Sequence, residues 1–227
     1  MGEKINFVVT SRLLDNIGLA MYSSLPKAIS ELIANSYDAD AQNVWLIIPE
    51  KIDKNSIIII KDDGNGMSKD FIKRSYMRIG PNNRIGREKS PKFKRLLIGS
   101  KGIGKLAGLG IANTIYIETI NNGKKCKFEI NRKKLDVEGK SLENIDIPLV
   151  EEKTKEANGT TIYLKELLSH LSTMSDEKLR TFFVGEFGFP KNFCIFVNGQ
   201  RYTAEDILVW CFQQIFTFEA FLDSVKY

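Results

Sequence analysis

Residues 31–41 read ELIANSYDADA. Just upstream, Leu25, Ala28, Ile29, Leu32 and Ile33 recur at helical spacing behind Pro26, a residue suited to a first helical turn, so the spacing predicts a helix over residues 25–36. Continued into the quoted stretch, the same period places Glu31, Asn35 and Asp38 at i, i+4 and i+7, within an arc of about 60° roughly opposite the apolar stripe. A carboxylate, a carboxamide and a second carboxylate converge there. Such a trio supplies a base that can polarise water and a neutral oxygen of the kind that hard Mg2+ accepts. A solvated helix face has the same spacing.

Downstream, residues 44–48 and 57–60 are short β-branched runs separated by Asp53, Lys54 and Asn55, which predicts paired strands, antiparallel and central. The second run leads into KDDGNGM, residues 61–67. Two glycines two apart let the chain turn sharply and approach a ligand closely, although DG and NG pairs also mark plain β-turns. Asp62, at the strand end, can accept a hydrogen bond from an exocyclic amine such as that of adenine, worth about 1.5–3 kcal/mol in a dry pocket. Met67 would offer a polarisable wall for the ring. A second helix is expected over residues 68–78, capped by Ser68.

Residues 80–98 are then irregular, rich in Gly, Pro, Asn and basic side chains, and longer than most connections in compact domains. Between Lys73 and Lys105 stand eleven basic residues and one acid, a local +10 in a chain of net +5. Arg74, Arg78, Arg84, Arg87, Lys89, Lys92, Lys94 and Arg95 thus suit neutralisation of a triphosphate, contact with nucleic-acid phosphate, or a solvated charge run. The glycines of GSKGIGK, residues 99–105, lie at a loop-to-helix junction, where backbone N–H groups can meet phosphates. The pattern is neither a Walker A loop nor a dinucleotide fingerprint. Strands are expected near residues 7–10, 115–119, 125–131, 160–164 and 194–197, and helices over residues 176–187 and from Ala204 onward. Asn158-Gly159-Thr160-Thr161 opens one of those strands and reads either as a turn or as a pair of hydroxyls offered at a strand start.

The whole chain has 227 residues, 43% apolar and 27% charged, the composition of an ordinary globular protein. No repeat or linker divides it, so one domain over residues 1–227 is expected, with a core at about 15–165 and an extension at about 166–227. Three scattered cysteines argue against a disulfide framework or a cysteine zinc site. No run approaches the ~18 apolar residues that cross a bilayer, and MGEKINFVVTSR lacks the apolar stretch of a signal peptide. A soluble, cytoplasmic protein without membrane partners is expected.

Taken in order, ELIANSYDADA, DDGNGM, GSKGIGKLA and NGTTIYL resemble the four boxes of the GHKL ATPase superfamily, named for gyrase, the large heat-shock chaperone, histidine kinases and MutL. The MORC-like and chaperone-like branches are the most similar. The resemblance implies an α+β Bergerat fold, a mixed and largely antiparallel sheet with helices on one face, and ATP and Mg2+ held between a helix and a lid. It implies Glu31 as general base and Asn35 as Mg2+ ligand. Asp62 would read adenine, Asp38 and Ala39 would line the adenine end, Gly64 and Gly66 would permit close approach, and Met67 would pack on the base. Thr160 would support a water-bridged adenine contact, and Gly102, Ile103 and Gly104 would put backbone donors on the phosphates, with Lys101 and Lys105 beside them. Asp63 stands where many members have Asn, Thr or Ser and would add negative charge near the pocket. The expected activity is slow ATP hydrolysis driving lid closure, with a nucleotide-dependent homodimer and a protein or nucleic-acid partner for the basic lid. The rivals are an ATP-sensing assembly module without turnover and a histidine-kinase catalytic domain. Against the latter, the single histidine, His170, follows the fourth box.

Overall fold

The computed structural model describes residues 3–7, 24–78, 88–99, 104–135, 145–172, 174–187, 192–202 and 211. Its strands are β1 (Glu3–Phe7), β2 (Asn43–Ile47), β3 (Ile58–Asp62), β4 (Ala112–Asn121), β5 (Lys124–Asn131), β6 (Ile145–Lys153), β7 (Gly159–Leu167), β8 (Cys194–Val197) and β9 (Gln200–Tyr202). The helices are α1 (Leu25–Asp38), α2 (Lys69–Phe71), continued as a π-helical turn Ile72–Tyr76, then α3 (Arg132–Leu135) and α4 (Asp176–Phe187), with a 3-10 helix at Gly104–Gly110. Among the described residues the strands form one sheet in the order β1-β6-β5-β4-β7-β3-β2-β8-β9. Its neighbours pair antiparallel except β2 with β8. This is the mixed, largely antiparallel α+β architecture that the resemblance implies.

Strand alternation decides which side chains meet the helices. Val44 and Leu46 of β2, Ile58 and Ile60 of β3, Ile115 and Ile117 of β4, and Ile162 and Leu164 of β7 are buried under α1 and the 3-10 helix. Leu25, Ala28, Ile29, Leu32 and Ile33 of α1 answer them from above, each larger side chain adding about 1.5–3 kcal/mol by burial. Leu179 and Phe183 of α4 join the same core.

Helix α1 runs two residues beyond its expected end and closes in a Schellman arrangement. Ala41 N–H donates to Ser36 O at 3.1 Å and Asp40 N–H to Tyr37 O at 3.1 Å, with Asp40 at φ 62° where glycine is usual. Ser68 caps α2 by accepting the Phe71 N–H at 3.2 Å. The helix expected after residues 99–105 is instead the 3-10 turn, because Gly108 passes so close to the sheet that a Cβ there would lie 2.7 Å from Leu164 Cδ2. β6 and β9 are not foreseen by the sequence. In β6, Pro148 interrupts the strand pattern; it lies one residue past the end of the β5 ladder at Phe128–Leu149 and is in register with Lys4 of β1. β1 lies earlier than expected, and residues 8–10 are outside the described residues. So is the closing helix expected from Ala204, apart from Cys211, which is helical. No helix among the described residues is long and apolar enough to cross a membrane.

Candidate functional site

Three inward positions on adjacent strands are polar where their neighbours are apolar. Asp62 ends β3 in register with Thr160 of β7, which pairs in turn with Thr119 of β4. All three are buried beneath the C-terminal half of α1. Asp62 Oδ1 accepts the backbone N–H of Gly64 at 2.9 Å and of Thr160 at 3.2 Å, whereas Oδ2 accepts, among the described residues, a single bond, from Ser36 Oγ at 2.9 Å. Burial pushes its pKa up to about 6, against the pull of the Gly64, Ser36 and Thr160 bonds, with Asp63 adding a smaller push. Thr119 and Thr160 share a hydroxyl hydrogen bond of 3.0 Å, and Thr119 Oγ1 also accepts the Met67 N–H at 2.8 Å. The adenine-reading aspartate, the threonine and the methionine expected from sequence are therefore brought together.

The glycines of the second box let the chain pass this row at close range. At Gly66, φ is +63° and a Cβ would sit 1.9 Å from Ile120 O; at Gly64 it would sit 2.8 Å from Ala39 O. Asn65 N–H donates to Ala39 O at 2.8 Å, which joins the loop to the end of α1 and places Ala39 beside it. Asp63 alternates outward. It accepts the Gln42 and Asn43 N–H groups at 2.7 and 2.8 Å and the Asn43 amide at 2.7 Å, so its charge organises the start of β2 instead of facing the buried row.

Along α1, Glu31, Asn35 and Asp38 are half-buried on the side left open by the core. A Cβ on Gly104 would lie 2.7 Å from Glu31 Oε2, so the end of the second glycine stretch abuts the carboxylate predicted as base. Asp38 accepts the N–H groups of Ile98 at 2.8 Å and Gly99 at 3.0 Å. Lys101, Gly102 and Ile103 lie outside the described residues, as do Arg84 and Arg87. Lys105 enters the site description only through its backbone, in the 3-10 helix.

Arg95 departs from the expectation of a phosphate-facing lid. It is buried, its guanidinium 4.6 Å from the Tyr37 ring, 4.7 Å from that of Phe93 and 5.6 Å from that of Phe193, and burial lowers its pKa. It donates to Ala41 O at 2.5 Å, Asn192 O at 2.7 Å and Tyr37 O at 3.3 Å. Arg74, Arg78, Lys89, Lys92 and Lys94 stay exposed. Asp40 accepts the Lys92 N–H at 2.8 Å, the Phe93 N–H at 3.0 Å and the Asn65 amide at 3.1 Å. Burial alone would raise its pKa, but these bonds and one with Ser90 outweigh it and hold the carboxyl below its usual range.

Sequence reasoning passed over Ser36, Thr119 and Asp40, and read Arg95 only as one cation of the basic segment. The signal for the first two is a polar residue in an inward register otherwise filled by Leu, Ile and Ala. Asp40 and Arg95 carry no comparable local signal, because the groups their side chains bond lie 25 to 97 residues away in the chain.

The profile described as "Histidine kinase-, DNA gyrase B-, and HSP90-like ATPase" matches residues 22–163, more than half of the chain. The chain belongs to this family and is a GHKL-type, ATP-binding domain. It is also 29% identical over 199 residues to a Herpetosiphon aurantiacus protein named "Putative type II restriction enzyme HgiDII". The match takes in 86% of this chain and 31% of that relative, so the chain spans under a third of the relative's length.

Proposed function

We propose that the chain binds ATP with Mg2+ and hydrolyses it slowly, with Glu31 orienting the attacking water. The observation that carries this reading is the acceptor count at Asp62. Two N–H groups occupy Oδ1 and one hydroxyl occupies Oδ2, leaving acceptor capacity on Oδ2 for one more donor, the exocyclic amine of adenine. Guanine presents a carbonyl at that position and would repel the carboxylate. Ala39, Gly64, Gly66 and Met67 would flank the base, and Thr160 would hold a bridging water. Gly102, Ile103 and Gly104 would meet the phosphates, with Lys101 and Lys105 near them.

The donor set suits a metal that arrives on the nucleotide. Among the described residues no group of three or more His, Cys, Asp or Glu could cage an ion, whereas Asn35 offers a carboxamide oxygen one helical turn from Glu31, without a side-chain hydrogen bond among those residues. One neutral oxygen plus phosphate oxygens and water is a usual Mg2+ environment. Asn35 would hold the ion, which when bound neutralises charge on the β- and γ-phosphates. Glu31 would accept the proton of the water attacking in line. Closure of the exposed lysines and arginines over the triphosphate, and a nucleotide-dependent homodimer, belong to the same reading. Kinship with a protein named as a restriction enzyme favours DNA handling over chaperoning as the larger task.

Calorimetric titration with Mg2+-ADP and Mg2+-GDP tests the site, and steady-state phosphate release tests the chemistry. Binding of ADP over GDP, with release lost in Glu31→Ala while ADP binding persists, is the expected result. Equal affinity for the two diphosphates would overturn the base assignment. Wild-type turnover in Glu31→Ala would overturn the catalytic one.

A further inference from the structure

Two acids and one arginine fix the second half of the basic segment to the end of α1, and the arrangement bears on the phosphates. Arg95 sits among three aromatic rings and spreads its donors over Tyr37 O and Ala41 O, at the close of α1, and Asn192 O before β8. Its own backbone is locked to Ser90, by Ser90 N–H to Arg95 O at 2.8 Å and Arg95 N–H to Ser90 Oγ at 3.0 Å. Asp40 holds Lys92 and Phe93. Asp38, in the last turn of α1, then takes the N–H groups of Ile98 and Gly99, the first residue of the glycine stretch. The other end of that stretch, Gly104, rests against Glu31.

The geometry points to Asp38 and Arg95 as positioning residues that set where the phosphate-binding glycine stretch begins. Both moorings of the stretch lie on one helix. Glu31 and Asp38 are seven residues apart on it, a rise of about 10 Å. Arg95 acts through the backbone: a planar fork that satisfies carbonyls of two separate elements is a geometry one ammonium cannot reproduce. None of these residues touches Asp62, whose partners are Ser36, Gly64 and Thr160.

The inference rests on the ATP-binding reading, and its test separates the two. Affinities of the full chain for adenosine and for Mg2+-ADP are measured by calorimetry in wild type, Arg95→Lys, Asp38→Asn and Asp62→Asn, with folding checked by circular dichroism. The ratio of the two dissociation constants isolates what the phosphates add. The positioning role predicts that this ratio falls about tenfold in Arg95→Lys and Asp38→Asn. Asp62→Asn, by contrast, weakens both ligands together and leaves the ratio near its wild-type value. A folded Arg95→Lys or Asp38→Asn protein with the wild-type ratio would overturn the proposal, whatever its stability. If Arg95→Lys fails to fold, Asp38→Asn decides alone. Wild-type protein that binds neither ligand overturns the ATP-binding reading and this inference with it.

Discussion

Asp62 is ionisable, buried and polar-bonded at once, and its pKa of about 6 makes it a stability determinant as well as a candidate ligand group. A folded-state value above the ordinary carboxylate range means that the protonated acid favours the fold. That advantage is complete below pH of about 4 and is lost as pH rises through about 6, so at neutral pH ionised Asp62 lowers stability by about 3 kcal/mol. Asp62→Asn keeps an oxygen for Gly64 and Thr160 and presents its amide to the Ser36 hydroxyl. It should raise Tm by several degrees at pH 8, with the gain shrinking toward zero near pH 4, while adenine affinity falls; thermal melts over that range check the sign. A gain independent of pH would mean that the charge is not its source. Beside Glu31, the proposed base, Gly104→Ala sets a methyl 2.7 Å from Glu31 Oε2. The carboxylate must swing away, and the expected result is a loss of at least tenfold in kcat with ADP affinity largely kept, read from phosphate release beside calorimetry.

Helix α1 and the loop after β3 work as a unit, because Asn65, Ala39 and Asp40 tie the helix end to the glycine turn. Gly66→Ala should therefore cost more than an ordinary turn substitution. The added Cβ meets Ile120 O at 1.9 Å and the residue must keep φ at +63°, so a loss of about 2 kcal/mol or more is expected, visible as a lower urea midpoint. Helix α1, β2, β3, α4 and β8 were legible from sequence because each carries its own periodic pattern over a short window. The α1 carboxylates, Asp62 and Thr160 were legible as site candidates because local spacing or a strand end marks them. What escaped was non-local: the burial of Arg95, the Asp40 bonds to residues 92 and 93, and a 3-10 helix forced by close contact of Gly108 with the sheet. Pro148 hid β6 for a related reason, since whether a proline is tolerated depends on the strands that flank it.

As a whole, the described residues share a hydrophobic core that spans α1, the 3-10 helix and the central strands, with Met67 at the end of the glycine turn packed against it. A ligand that binds only the folded chain stabilises it by mass action, about 2.7 kcal/mol at a hundredfold excess over Kd. Mg2+-ADP at that excess should raise Tm by roughly 5–10 °C for a chain of this size, and Mg2+-GDP by less, in a fluorescence melt. The sheet order carries a practical consequence for anyone transplanting the module. Cutting at the matched boundary, residue 163, would sever β7 before Leu167 and discard β8 and β9, so β2 would lose the neighbour that now covers its outer side. A bared strand rim recruits other chains. A functional graft consequently has to carry residues through Tyr202, well past residue 163.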